Sequence, residues 1–150
     1  MGTNSVIELR KAGQQYTFAS LQMHETIAKS VGFSATDHKY LGFFLQKGKL
    51  TAGELAKLSG LTTGAVTGLI DRFETKKLVK REFDATDRRK VFIVPFKEKI
   101  MKLFEPYYKD FQEETEKLIA TFSRDERKII QDFFEKSIKL MKDTHNMFNN

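Results

Sequence analysis

Apolar residues recur at helical spacing along most of the chain. In the first segment they return every three or four residues as far as Gly32, which predicts a long amphipathic helix. Its apolar and small positions are Val6, Leu9, Gly13, Tyr16, Ser20, Met23 and Ile27. Ser34, with Asp37 in place of the usual glutamate of a capping box, predicts a second helix that stops at Gly48.

Two shorter helices and a hairpin come next. Thr51 and Glu54 form a capping box for a third helix that Gly60 closes, and Thr62 caps a fourth. The period then changes, because residues 78–95 alternate between apolar and polar on both sides of the turn DATD. The segment 34–95 is therefore predicted to be a winged helix-turn-helix lobe.

Two long amphipathic helices are predicted after the hairpin. One apolar stripe runs from Ile100 to Phe122 and survives Pro106, so we expect the proline to kink this helix without ending it. Ser123 and Glu126 form a capping box for a last helix. The predicted fold class is mainly α with a small β-hairpin wing.

The whole chain, residues 1–150, is predicted to be one unit whose terminal helices flank the central lobe. Segments 1–33 and 96–150 carry more apolar surface than the lobe can cover. Large exposed apolar surfaces usually mark an interface, and a symmetric homodimer is the commonest solution. These segments are therefore predicted to be dimerisation helices; the alternative is that they pack on one another within a monomer.

The fourth helix has the pattern of an element that contacts DNA. Val66, Leu69, Ile70 and Phe73 fall on one face, and the opposite face carries Thr63, Gly64, Thr67, Gly68, Asp71 and Arg72. The start of a recognition helix lies nearest the bases, so Thr63 and Thr67 are candidate base contacts. Arg72 would contact guanine or phosphate, or else be solvated or paired with Asp71. Gly64 and Gly68 each lower the stability of the helix by about 1 kcal/mol relative to alanine. This cost on an exposed face indicates either that a partner approaches the backbone closely or that the sequence has drifted at a weakly constrained position.

The predicted hairpin is strongly basic around its turn. Its cations are Lys80, Arg81, Arg88, Arg89 and Lys90. An arginine at a hairpin tip suits the narrow, electronegative minor groove, and Asp87 is close enough in sequence to orient Arg89 through a bidentate pair. A basic hairpin by itself is more often a solvated turn, but directly after a helix-turn-helix it indicates DNA binding.

Composition narrows the possible functions. Lysine and arginine number 26 against 20 acidic residues, a net charge of +6 that favours polyanionic partners. The sequence has no cysteine, which excludes disulfides, thiolate metal sites and thiol-based peroxide sensing. The three histidines are scattered, and no phosphate-binding loop or nucleophile elbow occurs, so we predict no enzyme, no cofactor and no metal. No run approaches roughly 18 apolar residues, and we expect a cytoplasmic protein.

The tract ELAKLSGLTTGAVTGLIDRFETKKLVKREFDATDRRKVFIV resembles the winged helix-turn-helix of the multiple-antibiotic-resistance regulator (MarR) family of bacterial transcription factors. Its DATDRR segment is similar to the wing signature of that family, and the helix order is similar over almost the whole chain. The resemblance implies an obligate homodimer that binds double-stranded DNA at a roughly palindromic operator.

The resemblance also implies which residues face DNA. Those of the recognition helix are Thr62, Thr63, Gly64, Thr67, Gly68 and Arg72. Those of the wing are Asp87, Arg88, Arg89 and Lys90, with Arg89 in the minor groove and Arg88 near a phosphate. Three positions depart from the family pattern. Gly68 replaces a polar or basic residue, Lys77 replaces a glycine before the first wing strand, and Pro95 indicates an altered hinge.

Members of this family often release DNA when a small aromatic or anionic effector enters a crevice beside the DNA-binding lobe. The residues predicted to line such a pocket are Tyr16, His38, Phe44 and Tyr107. Aromatic residues at helical spacing more often belong to the core, which is the alternative interpretation.

Two functions follow from these patterns. The first is a sequence-specific, double-stranded-DNA-binding transcriptional regulator that acts as a homodimeric repressor. The second is a winged-helix protein-protein interaction module whose basic face meets an acidic partner.

Overall fold

The computed structural model describes residues 2–149, and the side chains of residues 4–149. Within this range six helices and three strands occur in the order α1 (Gly2–Ser30), α2 (Ala35–Lys47), β1 (Leu50–Thr51), α3 (Ala52–Ser59), α4 (Thr63–Thr75), β2 (Val79–Phe83), β3 (Val91–Pro95), α5 (Lys97–Ala120) and α6 (Arg124–Phe148). The predicted fold class, mainly helical with a β-hairpin wing, is confirmed.

Side-chain caps define where several of the helices begin. The full capping boxes predicted for α3 and α6 are present, the first through Thr51 and Glu54. The box predicted for α2 is only half formed. Ser34 accepts a hydrogen bond from the Asp37 N–H at 3.0 Å, but the Asp37 carboxylate binds Arg72 instead of completing the box.

The sheet has one strand more than the predicted hairpin. Strands β2 and β3 pair antiparallel from Val79↔Pro95 to Phe83↔Val91, as predicted. Strand β1 then adds to the other edge of β3, in the register Leu50↔Ile93. A strand of two residues is too short to show alternation, so no local pattern indicated it.

Aromatic packing fixes α4 to the rest of the lobe. Phe73 is fully buried, and the rings of Phe33 and Phe44 meet it edge-on at 6.2 and 6.4 Å. Ile100 and Phe104, from the first half of α5, are buried in the same unit. Helix α4 is therefore held on its apolar face by a packed core.

The chain divides into two compact units, Met1–Pro106 and Tyr107–Asn150. The division falls within α5, whereas the predicted lobe ends at residue 95, because the start of α5 supplies core residues to the first unit. Helix α5 continues through Pro106, as predicted. In the second unit, none of the residues Arg124–Phe148 of α6 is buried.

Candidate nucleic-acid interface

Helix α4 turns a polar face outward at its N-terminal end. Its Val66, Leu69, Ile70 and Phe73 side chains are at most 2% exposed. The cap residue Thr62 accepts a hydrogen bond from the Ala65 N–H at 3.3 Å. Opposite the buried face, Thr63, Gly64 and Thr67 are exposed, as the sequence predicts.

The Thr67 hydroxyl is fixed by a hydrogen bond to the backbone of its own helix. The Thr67 hydroxyl donates to the Thr63 carbonyl at 3.0 Å, which leaves the lone pairs of its oxygen able to accept a hydrogen bond. A β-carbon at Gly64 would meet none of the described atoms within 4 Å. Packing within this chain therefore does not require a glycine there, and close approach of a partner remains one of the two explanations.

Arg72 makes a contact that the sequence did not indicate. Its Nε and Nη2 donate to the two carboxylate oxygens of Asp37, at 3.1 and 2.9 Å. The pairing with Asp71 considered above is wrong, because adjacent residues on a helix point in different directions. Asp37 also raises the pKa of Arg72, chiefly through this hydrogen bond. The DNA contact predicted for Arg72 stays a prediction.

Arg81 joins the wing to α4 rather than extending the basic surface. From strand β2 it donates to Asp71 at 2.7 Å and to Glu74 at 2.5 Å, both on α4. The same carboxylates raise the pKa of Arg81, with the hydrogen bond to Asp71 as the largest cause. The ion pairs that Arg81 and Asp37 form with α4 were not predicted, because pairing between residues distant in sequence leaves no local pattern.

The wing turn is ordered by its own acidic residues. Asp84 accepts from both the N–H and the hydroxyl of Thr86 at 2.9 Å, and these bonds lower the pKa of Asp84. Across the turn, the Asp84 N–H donates to the Lys90 carbonyl, and the Lys90 N–H donates to the Asp87 carbonyl, each at 3.0 Å. The tip is therefore a defined loop rather than a loose one.

Basic side chains extend outward from this tip. The Asp87 carboxylate accepts from the Arg89 N–H at 3.0 Å and from Arg89 Nε at 3.4 Å, both through the same oxygen. The expected bidentate pair is thus wrong, because only Nε of the guanidinium donates to the carboxylate. Arg89 keeps 92% of its side chain exposed. Arg88 lies beside Phe83 and Asp84, and the Lys90 ammonium lies 5.2 Å from the Phe92 ring centre.

The residues predicted for an effector pocket have different environments. Phe44 is fully buried against Phe73, in agreement with the alternative interpretation that it belongs to the core. Tyr16 is 66% exposed on α1, and Tyr107, in the second unit, is 43% exposed. His38 is half-buried, stacked on His24 at 5.6 Å and edge-on to Phe104 at 4.9 Å. Burial, and to a smaller extent the charge of His24, lower the pKa of His38 below 6.5.

A different cleft in the first unit combines apolar and cationic groups. It is open, has a volume of about 520 Å³, and is lined by Val31, Phe33, Lys76, Leu78, Lys99, Lys102 and Leu103. Lys76 covers part of its floor, with its ammonium 3.9 Å from the Phe33 ring centre and 3.1 Å from the Gly32 carbonyl oxygen. This composition suits an anion with an apolar body.

Two other kinds of site are absent from the residues that the structure describes. No cluster of three or more histidine, aspartate or glutamate side chains is arranged there to hold a metal ion. None of the described helices combines the length and the apolar character that crossing a membrane requires.

Comparisons with known proteins agree with this geometry. The MarR family model matches residues 31–90. The chain is 36% identical over 147 residues, 93% of each chain, to the uncharacterised HTH-type transcriptional regulator YcgE of Bacillus subtilis (strain 168). A MarR family protein from Bacillus stearothermophilus has a similar structure, with a TM-score of 0.71 at 27% identity over 95% of this chain and 99% of that one.

A second solved structure contains a nucleic acid. A mutant of S. aureus MepR bound to an oligodeoxyribonucleotide has a TM-score of 0.56 at 24% identity, over 87% of this chain and 97% of that chain. At this identity the likeness concerns the fold. With a winged helix-turn-helix in the first unit and a relative that matches almost its entire length, the chain belongs to the MarR family of transcriptional regulators.

Proposed function

We propose that the protein is a homodimeric repressor that occupies a palindromic operator in double-stranded DNA. The observation that carries the proposal is that one lobe exposes both the threonine-rich start of α4 and a basic wing tip. Thr63 and Thr67 suit base edges or thymine methyl groups in the major groove, and Arg89 suits the minor groove. The other proposed contacts are Thr62, Gly64, Gly68, Arg72, Asp87, Arg88 and Lys90. MepR, which shares the fold, was solved bound to an oligodeoxyribonucleotide, which supports this assignment.

Exposed apolar residues in both units support a dimer. On α1, Val6, Leu9 and Tyr16 are between 62% and 68% exposed. On α6, Phe133 and Ile138 are about half exposed although they lie on the apolar side of the helix. Surfaces of this kind are costly in water, and a two-fold symmetric partner would cover them while placing two recognition helices on a palindromic site.

Release by a small effector is the regulatory part of the proposal. The lysine-bearing cleft favours an aromatic or aliphatic anion, because apolar walls and ammonium groups line the same space. Benzoate added to the protein-DNA complex is expected to lower DNA affinity, and replacing Lys99 and Lys102 with alanine should remove that response. The bacterial chromosome is the proposed target, so the place of action is the cytoplasm.

Selection from genomic DNA tests the function directly. Purified protein would be mixed with fragmented DNA of its source organism at near-physiological salt, and the retained fragments would be sequenced. The proposal predicts one sharp palindromic motif near a promoter. Retention without enrichment would mean that the basic face binds the backbone alone, which would favour the protein-protein interaction module.

A further inference from the structure

The ion pair between Asp37 and Arg72 joins two helices of the lobe. Asp37 lies in the first turn of α2 and is 8% exposed, the one charged residue among the buried side chains of the described chain. Both of its oxygens accept from Arg72 of α4. A buried carboxylate with a bidentate arginine partner is a directional contact, unlike the apolar packing on the buried face of α4.

Gly68 lies beside the guanidinium of Arg72. A β-carbon at this position, one turn before Arg72, would stand 3.6 Å from Arg72 Nη1, which is ordinary van der Waals contact. A longer side chain would compete for the volume that the guanidinium now occupies. Alanine would therefore fit at this position, and only a longer side chain directed at Arg72 would disturb the ion pair.

A second arginine holds α4 from the wing. Arg81 binds Asp71 and Glu74, so ion pairs to α2 and to β2 both act on the C-terminal half of the helix. The N-terminal half, with Thr63 and Thr67, is left to face outward. A rotation of α4 by about 10° would move a side-chain atom about 6 Å from the helix axis by about 1 Å, which is enough to spoil a hydrogen bond to a base.

We propose that Asp37 and Arg72 are positioning residues that set the rotation of the recognition helix, so that discrimination between DNA sequences depends on this ion pair. This inference rests on the proposed function. A purely structural pair would change the stability of the protein and leave its preference for one sequence over another unaltered. General electrostatic attraction to DNA would change affinity for all sequences alike.

The test compares affinities for a selected duplex and a scrambled duplex by fluorescence anisotropy. The selected duplex is obtained from a random library with the wild-type protein. Asp37→Asn removes one negative charge while keeping the side-chain shape, and Arg72→Lys keeps the charge but loses the bidentate fork. Glu82→Gln is the matched control, because it removes the same charge from an exposed residue whose partner is Lys80 of its own strand.

Both test variants are expected to lower the ratio of selected to scrambled affinity by about tenfold or more. Glu82→Gln should raise both affinities and keep the ratio. Measurements are made at a temperature where circular dichroism shows every variant folded. Asp37→Glu, which shifts the carboxylate without altering a proposed DNA contact, replaces Asp37→Asn if that variant does not fold. A wild-type ratio in the test variants, or equal losses on both duplexes, would overturn the inference. A wild-type protein that selects no duplex would overturn the proposed function, and this inference with it.

Discussion

Lys77 adopts a backbone conformation that costs free energy in any residue except glycine. Its φ is +57°, and it follows α4 at the position where a Schellman motif places a left-handed residue. The motif is complete, because the Leu78 N–H donates to the Phe73 carbonyl and the Lys77 N–H to the Glu74 carbonyl, each at 2.9 Å. The turn therefore has the usual shape, and lysine replaces the expected glycine at an energetic cost.

Replacing Lys77 with glycine should consequently stabilise the protein. Relief of the left-handed strain should stabilise the folded state by about 1 to 2 kcal/mol. The greater freedom of glycine in the unfolded chain offsets about 0.4 to 1 kcal/mol of this gain. We expect the free energy of unfolding in urea to rise by about 0.5 to 1 kcal/mol. Lys77→Ala keeps the β-carbon and should give no gain; an equal gain in both variants would contradict the explanation.

Arg89 is the side chain on which the proposed wing contact most depends. Substitution with alanine is expected to weaken operator binding and to reduce the slope of log affinity against log salt by about one, because one cation leaves the interface. The dimer should remain intact by light scattering. Arg127→Ala, on exposed α6, is the matched control and should bind as the wild type does. Unchanged affinity in Arg89→Ala would remove the wing from the mechanism.

His38 should make the stability of the protein depend on pH. Its pKa in the folded state is below the ordinary 6.5, so the unfolded chain binds the proton more readily. The contribution of neutral His38 to the stability of the folded state is therefore fully present above pH 6.5 and is lost as the pH falls below that value. The melting temperature should drop between pH 7.5 and 5.5, and His38→Gln should show a smaller drop. An equal drop in both proteins would contradict this prediction.

At the scale of elements, local signals in the sequence predict most of the fold. Cap residues such as Thr51 and Ser123 act within three residues of themselves, so their effect can be inferred without the tertiary structure. The alternation of the wing strands and the buried face of α4 are equally local. What could not be predicted depends on distant partners. Asp37 and Arg72 are 35 positions apart, and β1 becomes a strand only through pairing with β3.

The candidate interface shows the same limit. The exposed threonines and the basic wing tip follow from helical spacing and from the turn, and both were predicted. The sequence did not show which of the basic side chains remain available to bind DNA, because Arg81 and Arg89 look alike in sequence. In the structure Arg81 is engaged with two carboxylates of α4, whereas Arg89 extends outward.

At the scale of the whole molecule, the exposed apolar residues of α6 predict that the chain associates. Replacing Phe133 and Ile138 with aspartate should convert a dimer into a monomer and weaken operator binding, since two half-sites would no longer be bound together. Lys139→Asp, on the opposite, charged side of the helix, is the control and should leave the dimer intact. The measurement is the molar mass by light scattering, and a monomeric wild-type protein would contradict the dimer.

The central claim is that this protein binds one duplex sequence in preference to others. Its most direct test is a titration of the selected duplex and of a scrambled duplex of equal length, repeated at several salt concentrations. The account predicts tighter binding to the selected duplex by a factor of about 10³ or more at physiological salt. Equal affinities that fall together with salt would contradict it.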